Sequence, residues 1–251
     1  MSDGFQPHNQ DLRAQELESW WDFGLLPGVP SPQPSPSENY HGSPDNTANQ
    51  SQDIPIEASC SVWITGLPPD CTIRQLLTHI RSAGKIFTSN ISPADHENQT
   101  SAAKVVFWDR AGLDRFLNQY VWGTFVIRSY KPIVVMNRIR VAAQPPSERS
   151  RVIRIVGPFY IVNQQYLEQY FNKHFYYQLE DVAMIHSNPV IGRARIEFRF
   201  SSYRAQAASA VTWLHRARNE RPDAIEGMTE NEIAHWKNVR YFYGPDPCAS
   251  A

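Results

Sequence analysis

Ile191-Gly192-Arg193-Ala194-Arg195-Ile196-Glu197-Phe198 alternates small or apolar side chains with charged ones. Neighbouring residues of an extended strand face opposite sides of a sheet. Ala194, Ile196 and Phe198 therefore share a buried face, and Arg193, Arg195 and Glu197 share an open one. The stretch reads as a strand over 193–200, covered by helices on one side only.

The surrounding sequence supplies the rest of a unit. Upstream, Val152 to Val156 reads as a strand ending at Gly157-Pro158, and its Arg154 falls on the open face while Ile153 and Ile155 face inward. Gln164 to His174 reads as a helix with Leu167, Tyr170 and Phe171 on one side, and Val182 to His186 as a second strand. Downstream come an Ala-rich helix over Ser202 to Ala217, an insert over Asn219 to Lys237 with its own helix from Thr229, and a closing strand over Val239 to Tyr243. The order is βαββαβ.

The same order precedes it. Val62-Trp63-Ile64-Thr65-Gly66 alternates and ends in a Gly-Leu-Pro-Pro turn, and Thr72 is placed to cap a helix from Ile73 to Ala83 that stops at Gly84. Lys85 to Ile91 and Ala102 to Trp108 read as strands. Asp109 opens a second helix carrying Leu113, Phe116 and Leu117, and Ile133 to Val141 reads as the last strand. Two copies of one supersecondary order weigh more than any single motif. The expected organisation is an arm over 1–57, a first domain over 58–143 and a second over 150–246. The expected fold class is α+β, with two ferredoxin-like modules.

Gly192, Ala194, Ile196 and Phe198 stand in register with the third-strand pattern K/R-G-F/Y-G/A-F-V-x-F/Y of the RNA recognition motif, and Val62 to Leu67 resembles that family's short first-strand motif. The chain thus resembles a tandem RNA recognition motif protein over about residues 58 to 245, with degenerate RNP motifs. The family stacks bases on outward aromatics. Here Arg193 and Arg195 replace them in the second module, and Ala102 and Lys104 replace them in the first. Trp63 keeps an aromatic place, while Arg154 occupies the corresponding one in the second module.

The resemblance implies binding of single-stranded RNA. Trp63 is expected to stack a base. Lys104, Arg138 and Arg140 are expected to contact phosphate, with the latter two joining the first sheet from its last strand. Arg154, Arg193 and Arg195 are suited to phosphate or to flat stacking on a base. The rival reading is a protein-interaction scaffold whose modules have abandoned RNA. An insert or arm lying across a sheet favours the scaffold, and an open basic face favours RNA. The sequence does not separate RNA from DNA.

Charge is divided unevenly. Residues 1–57 hold nine acidic side chains against Arg13 alone, while the remainder carries 23 Lys+Arg and 16 Asp+Glu. An acidic arm on a mildly basic body suits a nucleic-acid binder, although ordinary proteins also show it. The arm reads as disordered apart from Trp20, Trp21, Phe23, Leu25 and Leu26. These sit among acidic residues as anchors for a partner's groove or for the protein's own surface.

Cys60, Cys71 and Cys248 have neither disulfide-framework nor zinc spacing, so free thiols in the nucleus or cytosol are expected. No apolar run reaches membrane-spanning length. No phosphate-cradling Gly-rich loop, HExxH or Gly-x-Ser-x-Gly is present, so neither an enzyme nor a cofactor is expected.

Overall fold

The computed structural model describes residues 50–188 and 190–249. The expected Trp20–Leu26 anchors lie outside these residues. The first module contains β1 (Ser61–Leu67), α1 (Ile73–Thr78), β2 (Ile86–Ser92), β3 (Ser101–Phe107), α2 (Arg110–Val121) and β4 (Ile133–Met136). The second contains β5 (Val152–Pro158), α3 (Gln164–His174), β6 (Leu179–Asn188), β7 (Arg193–Phe200), α4 (Ala208–Arg218), α5 (Pro222–Ile225), α6 (Glu230–Trp236) and β8 (Arg240–Tyr243). Each forms a four-stranded antiparallel sheet, ordered β2-β3-β1-β4 and β6-β7-β5-β8. These are two ferredoxin-like βαββαβ modules with the first and third strands at each centre.

Local chemistry sets the element ends. Thr72 and Gln75 exchange side-chain-to-backbone hydrogen bonds of 3.1 and 3.2 Å, a capping box that starts α1. The expected helix to Ala83 instead stops at Thr78. Ser82 takes φ +61°, and Arg115 and Gln119 of α2 donate to the carbonyls of Ala83 and Arg81. Gly84 then passes so close to α2 that an added Cβ would lie 2.5 Å from the Gly112 Cα. Ile73, Leu76, Leu77 and Ile80 nevertheless remain buried with Val62, Ile64, Val105, Phe107 and Phe116.

The insert packs on the helical side of the second module. Thr229 and Glu232 form a second capping box, and α6 delivers Trp236, fully buried, into the core beside Tyr166 and Tyr170. Full burial of such a ring contributes on the order of 2–3 kcal/mol from area alone. The insert therefore does not cover the second sheet's open face.

The modules are joined through a buried charge cluster. Arg151, at the start of the second module, is fully buried and pairs with Glu180 at 2.6 Å and Asp246 at 2.9 Å. Arg81 of the first module takes the other oxygen of Glu180. Asp246 also accepts the Ile86 backbone N–H at 2.9 Å. Cys248 enters the first module's core and donates to the Leu77 carbonyl at 3.5 Å. Burial pushes its thiol up to about 12. The C-terminal segment is thus a strap returning from the second sheet to the first.

Candidate nucleic-acid interface

Strand register fixes which side chains share the second module's open face. Ala183, Glu197, Arg154 and Phe242 form one row across β6, β7, β5 and β8. His186, Arg195, Val156 and Arg240 form the next, and Asn188, Arg193 and Pro158 lie beyond. Arg154, Arg193 and Arg195 occupy the face expected from alternation.

Their environments differ. Glu197, only 3% exposed, accepts from Arg154 at 2.7 Å and from Arg199 at 2.8 Å. Burial raises this carboxyl's pKa, but the two guanidinium hydrogen bonds outweigh that and hold it below its ordinary value. Arg199 continues the chain of charges to Asp181 at 3.7 Å, and Asp181 accepts from Arg74 of the first module at 2.7 Å. Glu197 and Arg154 are therefore committed to a network within the protein.

Arg195 lies outside it. Its guanidinium sits 5.4 Å from the Phe242 ring centroid, and its Nε makes no hydrogen bond. Phe242 is 41% exposed, whereas Tyr241 and Tyr243 on the same strand pack against the core. Arg240 and His186 flank Arg195 and are exposed, as is Arg193. The face thus combines an accessible ring with cations on either side.

Sequence reasoning missed Phe242, Arg240 and His186. The signal was present in Arg240-Tyr241-Phe242-Tyr243. Pairing of Tyr241 with Ile155 and Tyr243 with Ile153 turns both tyrosines inward and Phe242 outward.

In the first module, Asn90, Lys104, Trp63 and Val135 form one row across β2, β3, β1 and β4. Trp63 and Lys104 are neighbours, as the alternation predicts, and both are half-buried. Desolvation and the nearby Arg204 guanidinium pull the Lys104 ammonium below the ordinary lysine value.

The expectation for Arg138 and Arg140 requires correction. β4 ends at Met136, where the Asn137 side chain accepts the Ile139 N–H at 3.0 Å and turns the chain. Arg138 is exposed in the bend beyond, and Arg140 donates to the Ile54 carbonyl at 2.7 Å. Neither stands on a strand of the first sheet. Among the described residues, no group of three or more His, Cys, Asp or Glu is placed to hold a metal ion.

The sheet order and outward rows define the architecture. The chain has a tandem RRM-like fold. No protein-family model matches it, and no curated protein matches at a significant level. Among solved structures, Sex-lethal RNA recognition domains 1 and 2 from Drosophila melanogaster are 16% identical, with 74% of this chain and 99% of that chain covered and a TM-score of 0.25. The first two RRM domains of a yeast poly(U) binding protein are 15% identical, with 74% and 99% covered and a TM-score of 0.28. At these scores the likeness carries no argument, and the fold stands on the strand order of each sheet.

Proposed function

We propose that this chain binds single-stranded RNA, with the open face of the second module as its main surface. The observation carrying this reading is Arg195 beside the exposed Phe242 ring, flanked by Arg240, His186 and Arg193. An exposed ring stacks any base, and neighbouring guanidiniums take phosphate or stack in turn. Glu197 does little to neutralise those cations because Arg154 and Arg199 already engage it. Readout is sequence-tolerant, since stacking and phosphate contact do not distinguish bases strongly. Trp63 and Lys104 supply a smaller surface on the first module.

The test is fluorescence anisotropy of the full chain with a random single-stranded RNA pool at two salt concentrations. Binding that weakens steeply with salt, and falls when Arg193 and Arg195 are both replaced by Ala, supports the assignment. Unchanged affinity in that double variant removes the second sheet from it. A parallel DNA pool separates RNA from DNA preference.

The scaffold reading has one observation in its favour. Met184, Ile185, Val190 and Ile191 expose apolar surface along the β6–β7 hairpin, a feature suited to a protein partner. Partner capture through Trp20, Trp21, Phe23, Leu25 and Leu26 belongs to the same reading. Absence of RNA binding at low salt would favour it.

A further inference from the structure

We propose that the acidic, tryptophan-bearing segment over residues 11–26 docks on the open face of this chain's own second module and competes there with RNA. The competition rests on the reading above; the docking rests on the chemistry of the face and of the segment.

The face has cations without anions. Glu197 is the sole carboxylate in its rows, and Arg154 and Arg199 already engage it. Arg193, Arg240 and His186 are exposed, and their side chains make no ion pair or hydrogen bond among the described residues.

The same end of the sheet carries apolar surface that a phosphate backbone does not use. Ile185, Val190 and Ile191 are exposed on the β6–β7 hairpin that also bears His186 and Arg193. Phe159 joins them, since its N–H donates to the Gly192 carbonyl at 2.8 Å and the residue is exposed. Cations interleaved with exposed apolar side chains suit a ligand that carries both carboxylates and apolar groups.

Residues 11–26 have that composition. Asp11, Glu16, Glu18 and Asp22 stand against Arg13 alone, among Leu17, Trp20, Trp21, Phe23, Leu25 and Leu26. A carboxylate takes a guanidinium in the two-pronged manner of phosphate, and an indole stacks on a ring or a guanidinium as a base does. The segment and RNA therefore claim the same groups, while the hairpin's aliphatic side chains serve the segment alone.

The tether is long enough. The described chain begins beside the stretch after β4, where Ser51 Oγ donates to the Arg138 carbonyl and the Gln52 N–H to the Arg140 carbonyl. Residues 27–49 lie between that point and the segment. They span about 75 Å when fully extended and about 25 Å on average as a flexible chain. A module of about 100 residues has a radius of gyration of only about 13 Å, so the second sheet is within reach. Such a tether gives an effective concentration near the millimolar range. A segment of about 0.1 mM intrinsic affinity then covers the face about ten times as often as it leaves it free.

The test uses the full chain and two readouts. In the first, Phe23 is replaced by photo-reactive p-benzoylphenylalanine, the chain is illuminated without RNA, and cross-links in the monomeric product are mapped by mass spectrometry. Attachment is expected within 184–193 or 240–243, and is expected to fall several-fold in an Arg193→Glu, Arg240→Glu double variant. In the second, fluorescence anisotropy with the single-stranded RNA pool compares wild type with a Trp20→Ala, Trp21→Ala variant. The net charge of that variant is unchanged, and it is expected to bind RNA about tenfold more tightly. A circular-dichroism melt matching wild type shows that both double variants remain folded.

Cross-links confined to the first module or the helical side, or formed only between two chains, overturn the docking. Unchanged RNA affinity in the Trp20→Ala, Trp21→Ala chain overturns the competition. If neither chain binds RNA while the cross-link still maps to the open face, the docking stands and only the RNA reading falls.

Discussion

On the first sheet, Trp63 and Lys104 sit half-buried beside a seam that the other module helps to close. On the second, the Phe242 ring stands in the open beside a half-buried Arg195 and the exposed Arg240, His186 and Arg193, and the long insert lies behind on the helical side. Both sheets have the same strand order, so topology does not cause this difference. It arises from what packs against each edge and from which residue types occupy the outward rows. Equivalent positions in two copies of one fold are thus not equivalent binding surfaces.

The largest expected effect comes from breaking the joint that holds the surfaces together. Replacing Asp246 with Ala leaves Arg151 buried with one carboxylate fewer and also removes the acceptor for Ile86 N–H. A loss of about 3–5 kcal/mol is expected in urea unfolding. Little change would show that the modules do not depend on this cluster.

Next is a direct contest between the two rings. Phe242→Ala is expected to weaken RNA binding by about 1–3 kcal/mol, the usual range for a stacked base. Trp63→Ala should cost less because less of that ring is accessible. Equal losses by anisotropy would erase the distinction between the faces, and a larger loss at Trp63 would reverse it.

A finer comparison concerns charge. Arg195→Ala is expected to reduce the salt slope of binding by about 1, whereas Arg140→Ala should leave it unchanged because that side chain is held by Ile54. The smallest effect concerns acid stability. Glu197 has a folded-state pKa below its ordinary 4.5, so its stabilisation is present above that pH and is lost as pH falls through the folded value. Glu197→Gln should lose this part of the pH dependence, as read from melting temperature between pH 3 and 6 on the order of the ordinary carboxyl range.

Much of each sheet was legible because alternation is local. The run from Arg193 to Phe200 carries its own strand assignment, and Ile153 and Ile155 orient Arg154 without further information. Thr72 and Asp109 likewise mark helix starts through their own side chains. Features set by distant contacts were not legible. Nothing near Ser202 shows that Ser89 will clamp it; the end of β4 is different, because Asn137 beside Arg138 is a local turn signal that the alternation reading passed over. Cys248 reads as an isolated thiol until the strap carries it into the first module's core. Phe242 was hidden for a smaller reason: an aromatic-rich closing strand reveals its outward residue only once its register is fixed.

The most direct measurement is photo-cross-linking of the full chain to single-stranded RNA containing 4-thiouridine, with the attachment sites mapped by mass spectrometry. The principal cross-link is expected within Arg240–Tyr243, at Phe242, and a weaker one at Trp63. Cross-links confined to the β6–β7 hairpin tip or the helical side, with none at Phe242, would contradict the assignment of the second sheet as the RNA surface.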